Sequence, residues 1–330
     1  MVAKNFITFG SKQNGLHLFK MNLLITTKND MYKIGLIFSI FFSFSIYGQE
    51  DSLAFDGVVE APIESEYIEK TFSATRVING HSTEMLGKNV LEYRIEHRFG
   101  DIAGTNGGAQ QMFGFDNVAD IRMAIEYGIT DNINVGIGRS KGNGQPYRSL
   151  IDGYAKYRIL RQKKHGMPIS LALLGTMSFT YMKASNDISQ VSAFPNWQHR
   201  FAYSAQVNVS KKFGSWFSLN LSPTLVHRNY VAATDQNTLF ALGGAMRFSF
   251  AKTMGIVIEY FHVFGDPNLR TTNYNSLGIA YEFETFGHNF TINLTNSTGF
   301  GETQFITNTY SDWLKGQFRL GFTIGRKFAF

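Results

Sequence analysis

The sequence predicts an all-β fold: a transmembrane antiparallel up-and-down β-barrel of about twelve strands, with short periplasmic turns and longer extracellular loops. Three observations carry this reading. Apolar and polar residues alternate in segment after segment; the connections between those segments alternate between short and long; and the chain ends on an aromatic residue that continues the apolar face of the last segment. Apolar residues are 44% of the 330, yet mean hydropathy is only −0.12, so apolar side chains are interleaved with polar ones rather than gathered into runs. Phe (31), Tyr (15) and Gly (32) are abundant and Pro (6) is scarce, which suits many strands joined by Gly-bearing turns. Cysteine is absent, which excludes disulfides, thiolate chemistry and a cysteine-linked lipid anchor.

The chain divides into a leader, an N-terminal segment and the barrel. Met31, Tyr32 and Lys33 open a short positive region, residues 34–46 (IGLIFSIFFSFSI) form an apolar core, and Gly48 precedes Gln49. That order is the grammar of a secretory signal peptide, and the apolar core is too short to span a bilayer as a helix, which needs about 20 residues. The expectation is a cleaved signal over 31–48, with 1–30 as a misassigned upstream start. Residues 49–89 then form a periplasmic segment or a lumen plug, and 90–330 form the barrel. The formal charge of +6 is mostly a leader effect: residues 1–48 hold five lysines and one acid, leaving 26 basic against 24 acidic residues. No arginine-rich run remains to track phosphates, so nucleic acid is not an expected partner.

The first strand is the stretch LEYRIEHRF (91–99). Leu91, Tyr93, Ile95, His97 and Phe99 share one parity; Glu92, Arg94, Glu96 and Arg98 share the other. Successive strand side chains point to opposite faces, so one face is apolar and one carries four charges. The same pattern recurs over 121–127, 133–137, 151–159, 169–181, 201–209 and 217–225. It continues over 238–249, 255–263, 274–284, 288–296 and 316–330, giving an even count, as expected of single-chain outer-membrane barrels. The even-numbered connections (128–132, 161–168, 211–216, 250–254, 285–287) are short and the odd ones longer, which places both termini on the periplasmic side. Pro223 lies inside the seventh segment and lacks an N–H for the ladder, so a bulge or local break is expected there.

The apolar parity must then face lipid, because a Lys or Arg at mid-depth on that face costs about 2–4 kcal/mol and such charges are nearly absent from it. Phe99, Tyr127, Tyr157, Tyr181, Phe201, Tyr281 and Phe283 fall at strand ends on that parity, where interfacial girdles belong. The charged parity faces the lumen: Glu92, Arg94, Glu96 and Arg98, then Arg122 and Glu126, then Asp152, Lys156 and Arg158, and further on Glu259, Glu282 and Arg319. Mixed signs predict an internal salt-bridge mesh rather than a pore selective for one sign. Ahead of the first strand, Arg76, Asn79, His81 and Ser82 form the most distinctive polar cluster. Asn79-Gly80 reads as a tight turn whose neighbours satisfy backbone groups, with plugging of the lumen or periplasmic mouth as a compatible addition.

Several segments resemble an uncharacterised family of Gram-negative outer-membrane β-barrels. They are 71–102 (TFSATRVINGHSTEMLGKNVLEYRIEHRFGDI), 127–140 (YGITDNINVGIGRS), 223–229 (PTLVHRN), 240–248 (FALGGAMRF) and 295–307 (TNSTGFGETQFIT). The resemblance implies a barrel in the outer membrane; it supplies neither a substrate nor catalytic residues. The terminal Phe330 resembles the signal read by the barrel assembly machinery, which is therefore an expected partner, along with outer-membrane lipid.

No H-E-x-x-H or G-x-x-x-x-G-K-[ST] occurs; GIGRSKG (136–142) misses the dinucleotide spacing, and although its Gly138-Arg139-Ser140-Lys141-Gly142 matches G-x-S-x-G, it lies on a strand-to-loop junction, not on a strand-to-helix turn. His97, His227 and His262 fall on the lipid parity of strands one, seven and nine, which are not all adjacent, so no three-His metal site is expected, and no cofactor. The sequence thus points to a non-enzymatic barrel: a channel, a transport component or a structural membrane protein. The alternatives are a barrel enzyme acting on lipid or peptide, and a soluble exported β-protein that binds a ligand.

Overall fold

The computed structural model describes residues 66–104, 106–117, 120–142, 149–266 and 268–330; the leader and residues 49–65 lie outside them. Twelve strands follow one another: β1 (Val90–Asp101), β2 (Asp120–Thr130), β3 (Ile133–Lys141), β4 (Ser149–Leu160), β5 (Ser170–Thr180) and β6 (Phe201–Phe213), then β7 (Phe217–Arg228), β8 (Thr238–Ala251), β9 (Met254–Phe264), β10 (Ser276–Thr285), β11 (His288–Thr295) and β12 (Arg319–Ala329). Each pairs antiparallel with its chain neighbours, and β1 pairs with β12 to close the barrel. Closure leaves no unpaired edge, the condition for a sheet in lipid.

The alternation in sequence becomes two faces. On β1, Glu92, Arg94, Glu96 and Arg98 are buried inside while Tyr93 is exposed outside. Around the barrel the outward set is Met123, Ile125, Ile137, Ile151, Leu173, Leu225, Leu242, Ile256, Ile279 and Ile292, a band of apolar side chains that no soluble protein leaves in water. Aromatic rings cluster at its two borders. Phe179, Trp197 and Phe201 pack together at the outer ends of β5 and β6, and Phe213, Trp216, Phe217 and Phe248 at the inner ends of β6, β7 and β8.

One detail departs from the sequence-based expectation, and a second, at Pro223, is the expected local break. The connection 161–169 is as long as some outer loops although it lies on the periplasmic side, because it pairs with the incoming N-terminal chain. The Lys164 N–H donates to the Glu66 carbonyl, the Ile68 N–H to the Gln162 carbonyl, and Tyr67 bridges to Lys163. At Pro223 there is a gap without a bulge. Pairing of β7 with β6 lapses between Thr224 and Leu221 and resumes in the same register, while Pro223 keeps its partner Leu242 on β8.

Candidate functional site

The site is the lumen, and it is filled from both ends. From the periplasmic side, residues 71–83 enter as a narrow hairpin, every one of them buried. Its legs pair through Arg76 and His81, closed by the Val77 N–H on the Gly80 carbonyl (2.8 Å) and the Ser82 N–H on the Thr75 carbonyl (3.0 Å). Asn79-Gly80 therefore does sit in a tight turn, and that turn is the tip of the inserted element.

The tip is held by a carboxylate. Glu259 on β9 accepts the backbone N–H groups of Ile78 (3.2 Å), Asn79 (2.9 Å) and Gly80 (3.1 Å). Consecutive N–H groups converging on one anion make a nest, and charge-assisted hydrogen bonds are the strong kind. Lower down, Lys156 on β4 reaches between the legs and donates to the carbonyls of Thr75 (3.1 Å), Ser82 (3.3 Å) and Glu84 (2.6 Å). The Ser73 hydroxyl bonds Glu282, which also pairs with Arg247, and the Thr83 hydroxyl donates to Ser210 at 2.9 Å.

The wall beneath is a web of charges. Arg94 donates to Glu92 (2.8 Å) and to the Thr75 hydroxyl, with Glu126 at 3.7 Å. Arg122 bonds Glu96 (2.6 Å) on β1 and Asp152 (2.6 Å) on β4, so one guanidinium ties three strands. Glu126 accepts from the hydroxyls of Thr75 and Tyr154, and the Tyr154 ring meets His81 edge-on at 4.7 Å. Glycines make room for these groups: a Cβ on Gly138 would lie 2.6 Å from the Arg122 guanidinium, and one on Gly136 would lie 2.3 Å from the Tyr154 ring.

From the extracellular side, the connection between β11 and β12 folds inward around a short helix, Glu302–Phe305. Phe305 and Ile306 are buried among Val226, Ala241 and Phe261, and Thr303 hydrogen-bonds Ser178 at 2.9 Å. The two inserted elements meet. Arg76 of the hairpin donates to the carbonyl of Phe300 at 2.5 Å. Arg98 of β1 donates to the carbonyls of Ser297 and Gly299 and to the Asn79 side chain, and it stacks over the Phe300 ring.

The residues singled out in the sequence occupy two environments. Glu92, Arg94, Glu96, Arg98, Arg122, Glu126, Lys156, Glu259 and Glu282 are buried in this interior, with Asp152 beside them. Arg76, Asn79, His81 and Ser82 lie within the hairpin itself. Arg158 and Arg319 stand at the two mouths instead of inside the mesh. Arg158 bonds the Asp131 carbonyl and Asn132 in a periplasmic turn, and Arg319 bonds the Asn296 carbonyl and Ser311 on the outer side. Phe330 is 84% exposed, and its backbone N–H donates to the Asn89 carbonyl.

The sequence reading missed the inserted outer loop, with buried Glu302, and two arginines on inward parities, Arg228 and Arg247. Phe300, Phe305 and Ile306 in a stretch assigned to open water were the available signal. Arg228 belongs to an outer cluster in which Asp235 pairs with Arg228 (2.8 Å) and Arg270 (2.5 Å). Burial pushes the Asp235 carboxyl up, but the Arg228 hydrogen bond and the two guanidinium charges outweigh it and hold the group below its ordinary value.

The histidines on the lipid parity serve local packing and capping. His97 stacks on Phe322, His227 bonds Thr238, and His262 bonds Asn275. Among the described residues no group of His, Asp and Glu is placed to hold a metal ion.

The chain is similar in structure to several outer-membrane pores. One is the KdgM porin in complex with disordered oligogalacturonate (10% identity, 73% of this chain and 99% of that one, TM-score 0.42). Another is the NanC porin (10%, 73% and 100%, 0.45). A third is the COG4313 outer membrane channel from Pseudomonas putida F1 (11%, 74% and 98%, 0.45). At such identity the likeness concerns the fold alone. No curated protein matches the chain in sequence. Residues 72–328, hairpin and barrel together, match the family described as "Membrane bound beta barrel domain (DUF5777)", and the chain is a member of that family, located in the outer membrane.

Proposed function

We propose that this protein is a gated, non-enzymatic channel of the outer membrane, with the hairpin 71–83 as its gate. The observation that carries the reading is the chemistry of the hairpin's attachment. Apart from a small apolar contact of Phe72, Val77 and Ile78 with Ala245, Val257 and Ala280, the hairpin is held by hydrogen bonds and ion pairs. Such bonds exchange for bonds to water at a net cost of about 0.5–1.5 kcal/mol each, or about 1.5–3 kcal/mol where one partner is charged. An apolar core resists that exchange. A polar plug in a polar lumen can therefore exchange its seat for water, and the wall β1–β12 is closed by its own ladder without the hairpin. Withdrawal empties the part of the lumen lined by Glu92, Arg94, Glu126, Lys156 and Glu282, groups suited to water and useless as a dry core, and the inserted outer segment around Glu302–Phe305 must shift as well for the pore to open through.

The test is conductance in planar bilayers, comparing the full protein with a variant lacking residues 71–83 and the inserted outer segment 299–306. The full protein is expected to be mostly silent and the deletion variant to conduct steadily. A peptide of residues 71–83 added from the periplasmic side is expected to block it. A deletion variant that folds, by its heat-dependent gel mobility, and stays silent rejects the channel role.

A further inference from the structure

A cavity of about 470 Å³ opens at the outer mouth, away from the plugged lumen. One wall is the connection between β9 and β10, with Asp266, Arg270, Asn273 and Tyr274; the other is the end of the connection between β11 and β12, with Asp312 and Trp313. We propose that this cavity is a recognition site for a neutral saccharide, bound from the extracellular side.

The walls are built to hold a fixed shape. Arg270 and Asn273 both donate to the carbonyl of Thr307, at 2.9 and 2.8 Å, and the Tyr274 N–H donates to the carbonyl of Thr309 at 2.8 Å. Two loops that belong to different hairpins are thus tied together beneath the cavity, so little ordering cost falls on binding. Asp312 caps the turn that carries Trp313, accepting the Leu314 N–H at 3.0 Å.

The lining selects the ligand class. Trp313 and Tyr274 offer flat apolar faces, and among the described residues neither the indole N–H nor the phenol hydroxyl makes a hydrogen bond. A pyranose ring has one face of C–H bonds and a rim of hydroxyls, each both donor and acceptor, which matches aromatic faces set among carboxylate and amide groups. The charges give no preference for an acidic sugar. Asp266 and Asp312 bring two carboxylates, the second with Lys315 at 3.5 Å, and the guanidinium of Arg270 is already committed to Asp235 and the Thr307 carbonyl. The volume, within the range of about 300–1,000 Å³ usual for ligand pockets, exceeds the need of one sugar ring.

Calorimetric titration of the full protein in nanodiscs with maltotriose, chitotriose and trigalacturonate tests the assignment. At least one neutral trisaccharide is expected to bind saturably, and trigalacturonate at least tenfold more weakly. Trp313→Ala is expected to weaken the neutral ligand tenfold or more, while Trp313→Phe, which keeps a stacking face, stays within about threefold. Heat-dependent gel mobility checks that both variants fold. Absence of saturable binding by both neutral trisaccharides, equal binding of trigalacturonate, or wild-type affinity in Trp313→Ala overturns it. The site does not require that the barrel conduct: a silent barrel that binds the sugar retains it, and a conducting barrel that does not bind removes this inference alone.

Discussion

Glu259 on the barrel wall accepts the backbone N–H of Asn79 at 2.9 Å, and with it the N–H groups of Ile78 and Gly80 on either side. One carboxylate thus holds the tip of the inserted hairpin through main-chain groups. A residue change on the hairpin leaves these bonds in place, whereas a change at Glu259 alters all three at once. Hydrogen bonds to a charged acceptor are worth about 1.5–3 kcal/mol each. Glu259→Gln keeps the shape and one acceptor oxygen but loses the charge. The expected outcome is weaker seating by about 2–3 kcal/mol, read as a 30- to 150-fold rise in open probability in single-channel records.

Lys156 performs the matching task for the legs. Its ammonium donates to carbonyls on both strands of the hairpin and on the chain that leaves it. Lys156→Met preserves much of the stem and removes every one of these donors. Hydrogen exchange of residues 71–84 is expected to quicken by at least tenfold, with protection of the barrel strands β5 and β6 unchanged. Equal exchange in the variant and the wild type would show that Lys156 does not hold the legs.

The wall's own charges are a separate matter. Arg122 compensates Glu96 and Asp152 together, and removing it leaves buried Glu96 with only the longer contact to Arg76 at 3.7 Å and deprives half-buried Asp152 of its partner. Breaking a buried pair from one side costs about 3–5 kcal/mol. Arg122→Met is therefore expected to lower the heat-unfolding temperature of the barrel markedly. The double change Arg122→Met with Asp152→Asn is expected to recover part of the loss, because Asp152 is then neutral and Glu96 keeps Arg76 at 3.7 Å.

Much of this molecule is legible in the sequence, and what escaped has a physical reason. Alternation shows each strand and face, because a charge on the lipid side is costly and selection of that face is local. The apolar parity of LEYRIEHRF was enough to turn Glu92, Arg94, Glu96 and Arg98 inward. Pairings across the lumen are a different matter. Nothing within ten residues of Glu259 says that the tip of a turn at 78–80 will reach it, and nothing near Arg98 points to the carbonyls of Ser297 and Gly299. These contacts depend on where two irregular segments settle inside the closed barrel. The inserted outer loop left one trace, its three apolar residues, and the length rule that assigned it to open water overrode that trace.

Acid should loosen the outer cluster. Asp235 has its carboxyl held below the ordinary aspartate value by Arg228 and Arg270. A depressed carboxyl pKa gives stability that is fully present above the ordinary value of about 3.9 and is lost as pH falls through the folded value. The connections 229–237 and 265–275 are expected to stay tied together at neutral and mildly acidic pH. They should separate only below about pH 4, as followed by their hydrogen exchange. Asp235→Asn should show the loosened state at all pH values.

The central claim, that the hairpin is the gate, is tested most directly by locking it. Thr83 on the hairpin and Ser210 on β6 face each other with their hydroxyls 2.9 Å apart, and the chain has no cysteine to interfere. Thr83→Cys with Ser210→Cys, placed in the Glu259→Gln protein, allows the same molecules to be recorded oxidised and then reduced. The account predicts silence with the disulfide formed and frequent openings once it is reduced. The same conductance in both states would contradict it.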